Sequence, residues 1–162
     1  MMATALLGGT YMLMMAVTGI FFGTLVDRHK KKRIMEMASM ITAVMFGVAG
    51  LIYMFVDTRH LLTIGGPWFW IFSVVILMGC IVENIRNIAL GTCVTIMVPE
   101  NKRANANGMV GMVQGLGFMV TSIFSGLAIG YLGMGWTLLI AIVLTVLSLV
   151  DLSFVSINED HL

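Results

Sequence analysis

Charge is what this chain has least of. Asp, Glu, Lys and Arg together make up 10% of its 162 residues, against about 25% in a soluble domain. Hydrophobic residues make up 59% and the mean hydropathy is +1.02. No water-soluble fold of this length can hide so much apolar surface, so the solvent of this chain is lipid. Cysteine is scarce as well. Cys80 and Cys93 lie in apolar runs without paired spacing or a histidine partner, so neither a zinc site nor a disulfide framework is expected, only buried, inert thiols. His29, His60 and His161 are scattered and lack metal-ligand spacing. No metal or cofactor is expected. There is no Ser/His/Asp set, no HExxH and no intramembrane aspartate pair, which argues against an enzyme. No nucleic-acid partner is expected either. The N-terminus has no basic n-region, and the apolar stretch from Met1 to Val26 is too long for a signal peptide; it is expected to span a membrane.

What is present is a series of long apolar segments. Five spanning helices are expected, at about residues 3–26, 34–56, 67–98, 105–131 and 136–156, forming one all-α polytopic bundle over residues 1–162. The third has Trp68, Phe69 and Trp70 at its start, the mark of an interfacial aromatic belt. At about 48 Å it is longer than a hydrocarbon core of roughly 30 Å, so it tilts or projects. Glu36 is placed in the first turn of the second span, where the helix dipole favours an acid. The fourth span is glycine-rich, and Gly111/Gly115 and Gly126/Gly130 have the GxxxG spacing that lets helices cross closely, with Gly117 between them. Gly133-Met134-Gly135 provides a short turn, and the tail from Asn158 to Leu162 is polar. Sixteen methionines fit either flexible packing in lipid or a pliable surface for apolar ligands.

Lys and Arg concentrate in two polar segments, around 27–33 and 99–104, which together hold seven of the nine. These segments are therefore placed in the cytoplasm. Five spans then put the N-terminus outside, an arrangement natural for a bundle whose leading helix is missing.

The densest cluster is Gly23-x-Leu25-x-Asp27-Arg28 followed by Lys31-Lys32. It resembles the signature loop between the second and third helices of a major facilitator superfamily half. Lys30 stands where that family usually has a glycine. The resemblance implies that Gly23 lets two helices touch. It implies that Asp27 meets a helix N-terminus and a basic partner in the other half of the transporter, and that Arg28, Lys31 and Lys32 stay cytoplasmic. The five spans would be helices two to six of a six-helix half. Pro99-Glu100 through Ala106-Asn107 resembles a loop of the macrolide-efflux-like branch. The antiporter motif of the fifth helix is matched only at its edges: residues 117–126 keep the outer glycines but have Thr121-Ser122 at the Gly-Pro centre and Ser125 for a glycine. By this resemblance the chain is part of an efflux transporter working by alternating access on a small amphiphilic molecule in a bacterial inner membrane. Its partners are the bilayer, that substrate and an absent C-terminal helix bundle, and the chain alone is expected to be inactive.

Intramembrane charge costs about 2.5–3.5 kcal/mol per residue on insertion scales and needs a reason. Glu83, Arg86 and Asn87 share a helix face by their spacing, with Asn84 beside them. One reading makes this patch, with Gln114, part of a cavity wall, with Glu83 as proton acceptor and Arg86 as counter-ion. The other makes it a structural pair that locks two helices. A further alternative for the whole chain is a non-transporting assembly module that dimerises through its GxxxG faces.

Overall fold

The computed structural model describes residues 2–155; the expected polar tail and the last residue of the fifth expected span lie outside them. Among the described residues the chain folds into six helices: α1 Met2–Arg28, α2 Lys31–Phe55, α3 Thr58–Leu62, α4 Pro67–Met97, α5 Glu100–Tyr131 and α6 Met134–Phe154. All but α3 are long and apolar enough to cross a bilayer.

The helix ends follow from local chemistry. Pro67 sits in the first turn of α4 behind Gly66, where a missing N–H costs nothing. The α5–α6 turn depends on Gly133, whose φ of +84° favours glycine. Its N–H and that of Leu132 both donate to the Ala128 carbonyl, at 3.1 and 2.8 Å. Asp57 accepts a hydrogen bond from the Arg59 N–H at 3.2 Å and opens α3, a turn of helix inside a segment expected to be a loop. Two starts fall three or more residues earlier than expected. Residues 100–104 are the first turn of α5 rather than a loop, because Pro99 and the acidic Glu100 make a good N-terminus. Likewise α2 begins at Lys31, so Glu36 is not in its first turn. Glu36 instead stands one turn from Lys32, 3.8 Å from its ammonium.

α2 is the centre of the bundle. It packs along α4 on one side and against α6 on another, while α1 lies on α4. Lipid supplies no hydrophobic drive between helices, so close packing of small residues must hold them. The α2–α4 seam is built that way. Ala38, Ser39, Thr42 and Ala49 are buried on α2, and Ser73, Gly79, Ala89 and Cys93 on α4. At Gly79 a Cβ would lie 3.0 Å from the Phe46 ring and 3.3 Å from Met45 Cβ. The Thr42 hydroxyl donates to the Gly79 carbonyl across this crossing at 3.2 Å.

The densest core joins Val26 of α1, Ile34, Met35 and Ala38 of α2, and Ile85, Ala89 and Cys93 of α4. It sits beside the α1–α2 turn, so the bundle is packed most tightly at the end that carries the basic residues. α5 is the opposite case. It borders α6 and α4, yet none of its residues is buried.

Candidate functional site

The basic turn comes first. The last carbonyls of a helix have no intrahelical donor and carry the negative end of the dipole. α1, α4 and α6 all bring their C-termini to the face where α2 and α5 begin, and each is met by a cation. Lys31 is 3% exposed; its Nζ folds back to donate to the carbonyls of Asp27 and His29 at the end of α1, both at 3.2 Å. Lys32 Nζ donates to the Ser153 carbonyl at the end of α6, at 3.1 Å. Arg103 Nε donates to the Val98 carbonyl behind α4, at 3.0 Å. Lys31 and Lys32 of the turn therefore cap the ends of α1 and α6, and Arg103 separately caps the end of α4, which the sequence pattern does not reveal.

The other residues of the signature are free of such duties. Asp27 and Arg28 are exposed, and among the described residues neither side chain has a hydrogen bond or ion pair. Leu25 is 41% exposed and lines a groove with Ile34 and Met37. A Cβ at Gly23 would meet nothing within 4 Å, so the described helices leave room for a side chain there.

The mid-membrane patch lies where α4 faces α2 and α6. Glu83 Oε1 is 3.3 Å from Arg86 Nε, one helical turn on. Arg86 Nη1 donates to Ser148 Oγ of α6 at 2.7 Å, and the Thr42 hydroxyl of α2 lies against the Glu83 carboxyl. Three helices thus share one polar junction. Glu83 Oε2 is enclosed but has no hydrogen bond among the described residues. Asn84 is half-buried and Asn87 exposed, and neither side chain joins the junction.

Gln114 stands exposed on α5, apart from Glu83 and Arg86. Gly111, Gly115, Gly117, Gly126 and Gly130 all open onto empty space. The glycines at close approaches are elsewhere: Gly79 of α4, against α2, and Gly135 of α6, where a Cβ would lie 2.9 Å from the Tyr53 ring of α2, while at Gly50 of α2 it would meet Ile142 of α6 only at an ordinary 3.5 Å. Thr42, Ser148 and Gly79 are the positions that sequence reasoning did not single out. A small or hydroxyl residue one helix face away from an intramembrane charge is the signal that could have found the first two.

Long apolar helices, a polar junction at mid-membrane and a basic face that caps three helix ends define a multi-pass helical membrane protein. The family model of the Major Facilitator Superfamily matches residues 2–161, and the chain belongs to that superfamily, whose members carry out membrane transport. Neither a curated protein nor a solved structure matches the chain.

Proposed function

We propose that this chain is one wall of an alternating-access transporter that exports a small amphiphilic molecule across a bacterial inner membrane. The observation that carries the reading is the Glu83 carboxylate: an ionisable group in the middle of a 31-residue span, with one enclosed oxygen that lacks a hydrogen bond among the described residues. A group of this kind at this depth marks a substrate or proton path, and transporters of this architecture place their sites near the midplane between helix bundles. Asn84, Asn87 and Gln114 would add polar contacts on the open sides of α4 and α5.

The finer placement follows the signature residues. The chain corresponds to helices two to six of an N-terminal half in the macrolide-efflux-like branch, and a C-terminal bundle covers Asp27 and the open faces of α5. Support comes from α5 itself, a 32-residue helix with no buried residue. The same open glycines favour a second reading, a module that dimerises through α5. The two separate in cells. Cells that express the complete reading frame containing this chain should accumulate less of an amphiphilic fluorescent dye than control cells, and Glu83→Gln should abolish the dependence of efflux on the pH gradient. Equal accumulation, together with crosslinked dimers that Gly115→Ile disrupts, would favour the assembly module instead.

A further inference from the structure

The α1–α2 turn holds more cations than helix capping uses. Lys31 and Lys32 are engaged with helix ends. Arg28, Lys30 and Arg33 are exposed, and among the described residues their side chains make no hydrogen bond or ion pair. Beside this turn, with His29 in its lining, runs an apolar groove between α1 and α2. Its floor is Ile34, Ala38 and Ile85, all buried. Its open edge is Leu25, Met37 and Ile41, which are 41%, 60% and 41% exposed.

The groove and the cations belong to the same helix faces. On α2, Arg33, Met37 and Ile41 follow one another at i+4 spacing and form one row. Across from it stand Leu25 of α1 and His29 just past the end of α1, with His29 Nδ1 held 3.0 Å from the Leu25 carbonyl oxygen. Asp27, two residues on from Leu25 and so roughly 200° round the helix, projects away from the groove. Glu36 is drawn to Lys32. From the turn to Ile41 the groove runs about 15 Å along α2, the depth of one leaflet in a core of roughly 30 Å.

We infer that this groove binds one anionic phospholipid of the cytoplasmic leaflet. The headgroup phosphate sits among Arg28, Lys30 and Arg33, and an acyl chain lies over Ile34 and Ala38 between Leu25 and Met37. Juxtamembrane cations attract anionic lipid in this leaflet, and here the attraction is joined to a shaped apolar seat. The inference stands apart from the transport reading, because lipid selectivity is measured without any substrate.

The test uses the full chain in phosphatidylcholine vesicles containing spin-labelled phosphatidylglycerol or spin-labelled phosphatidylcholine, with the motionally restricted fraction as readout. The expected preference for phosphatidylglycerol is at least about fivefold, the worth of one cation engaged at an anionic surface. The triple variant Arg28→Ala/Lys30→Ala/Arg33→Ala should bring it to about one. Met37→Trp/Ile41→Trp, which keeps every cation but fills the groove, should lower it by a similar factor. Arg59→Ala/Lys102→Ala, which removes cations elsewhere, should leave it unchanged, and millimolar inorganic phosphate should not displace the lipid. No preference in the unaltered chain would overturn the inference. So would a preference that survives the triple variant or the groove-filling variant, an equal loss in Arg59→Ala/Lys102→Ala, or displacement by phosphate.

Discussion

Single residues hold this bundle together through a few polar contacts, because apolar burial does not distinguish neighbouring helices from lipid. The Glu83–Arg86–Ser148 junction is the strongest case. Removing the Ser148 hydroxyl leaves Arg86 its carboxylate, so Ser148→Ala should cost about 0.6 kcal/mol, an ordinary interhelical hydrogen bond. Arg86→Ala should cost more, about 2 kcal/mol, because Glu83 is then left without its cation in a half-buried site. The double variant Glu83→Gln/Arg86→Ala should recover part of that loss. Unfolding midpoints in mild detergent check the order. A double variant no more stable than Arg86→Ala would mean that the loss does not come from a stranded Glu83 charge. The charged residues of this site are legible in the sequence because charge is so rare in it. Their partners Thr42 and Ser148 are not, since one hydroxyl among many in five spans carries no label until the helices are placed.

At the scale of the helix, small residues decide which faces meet. The GxxxG pairs of α5 are visible in the sequence, but the chain makes close crossings at Gly79 and Gly135. Spacing states that a close approach is possible; only the partner's position states that it happens. Gly79→Ala should therefore lower stability by about 1–3 kcal/mol, since Met45 Cβ and the Phe46 ring have little room to move. Gly111→Ala and Gly126→Ala should be neutral or slightly stabilising in the isolated chain. If all three behaved alike in thermal unfolding, the α2–α4 seam would not be the tight crossing described here. Helix ends behave in the same way. Pro67 and Gly133 announce their turns, whereas the buried Lys31 looks like any loop lysine. Lys31→Met removes both charge-assisted bonds to the end of α1 and should cost about 2 kcal/mol. Arg33→Met, at an exposed position, should cost almost nothing to the fold. Equal effects would show that Lys31 is not a cap.

For the whole molecule, composition alone identifies a membrane protein, and the basic signature identifies its superfamily, because both depend on sums and spacings rather than on side-chain placement. The way the bundle packs is less legible. It is tight at the basic end, where Val26, Ile34, Ala89 and Cys93 meet, and α5 borders α6 and α4 without burying a residue. The proposed partner bundle would sit against α5. The same scale sets the expected orientation: by the Lys/Arg bias Arg33 belongs on the cytoplasmic face and Arg59 on the opposite one. A cysteine in place of each, in a background where Cys80 and Cys93 are replaced by alanine, should react with an impermeant maleimide from opposite sides of the membrane.

Alternating access itself is tested most directly at Asn87, which is exposed in the middle of α4. The complete reading frame, in the same cysteine-free background, would carry a cysteine in place of Asn87 and be labelled from each side of sealed membrane vesicles. The account predicts reaction from both sides, with Asp27→Asn raising the rate from one side and lowering it from the other. Reaction from one side alone, or from neither, unchanged by Asp27→Asn, would contradict it.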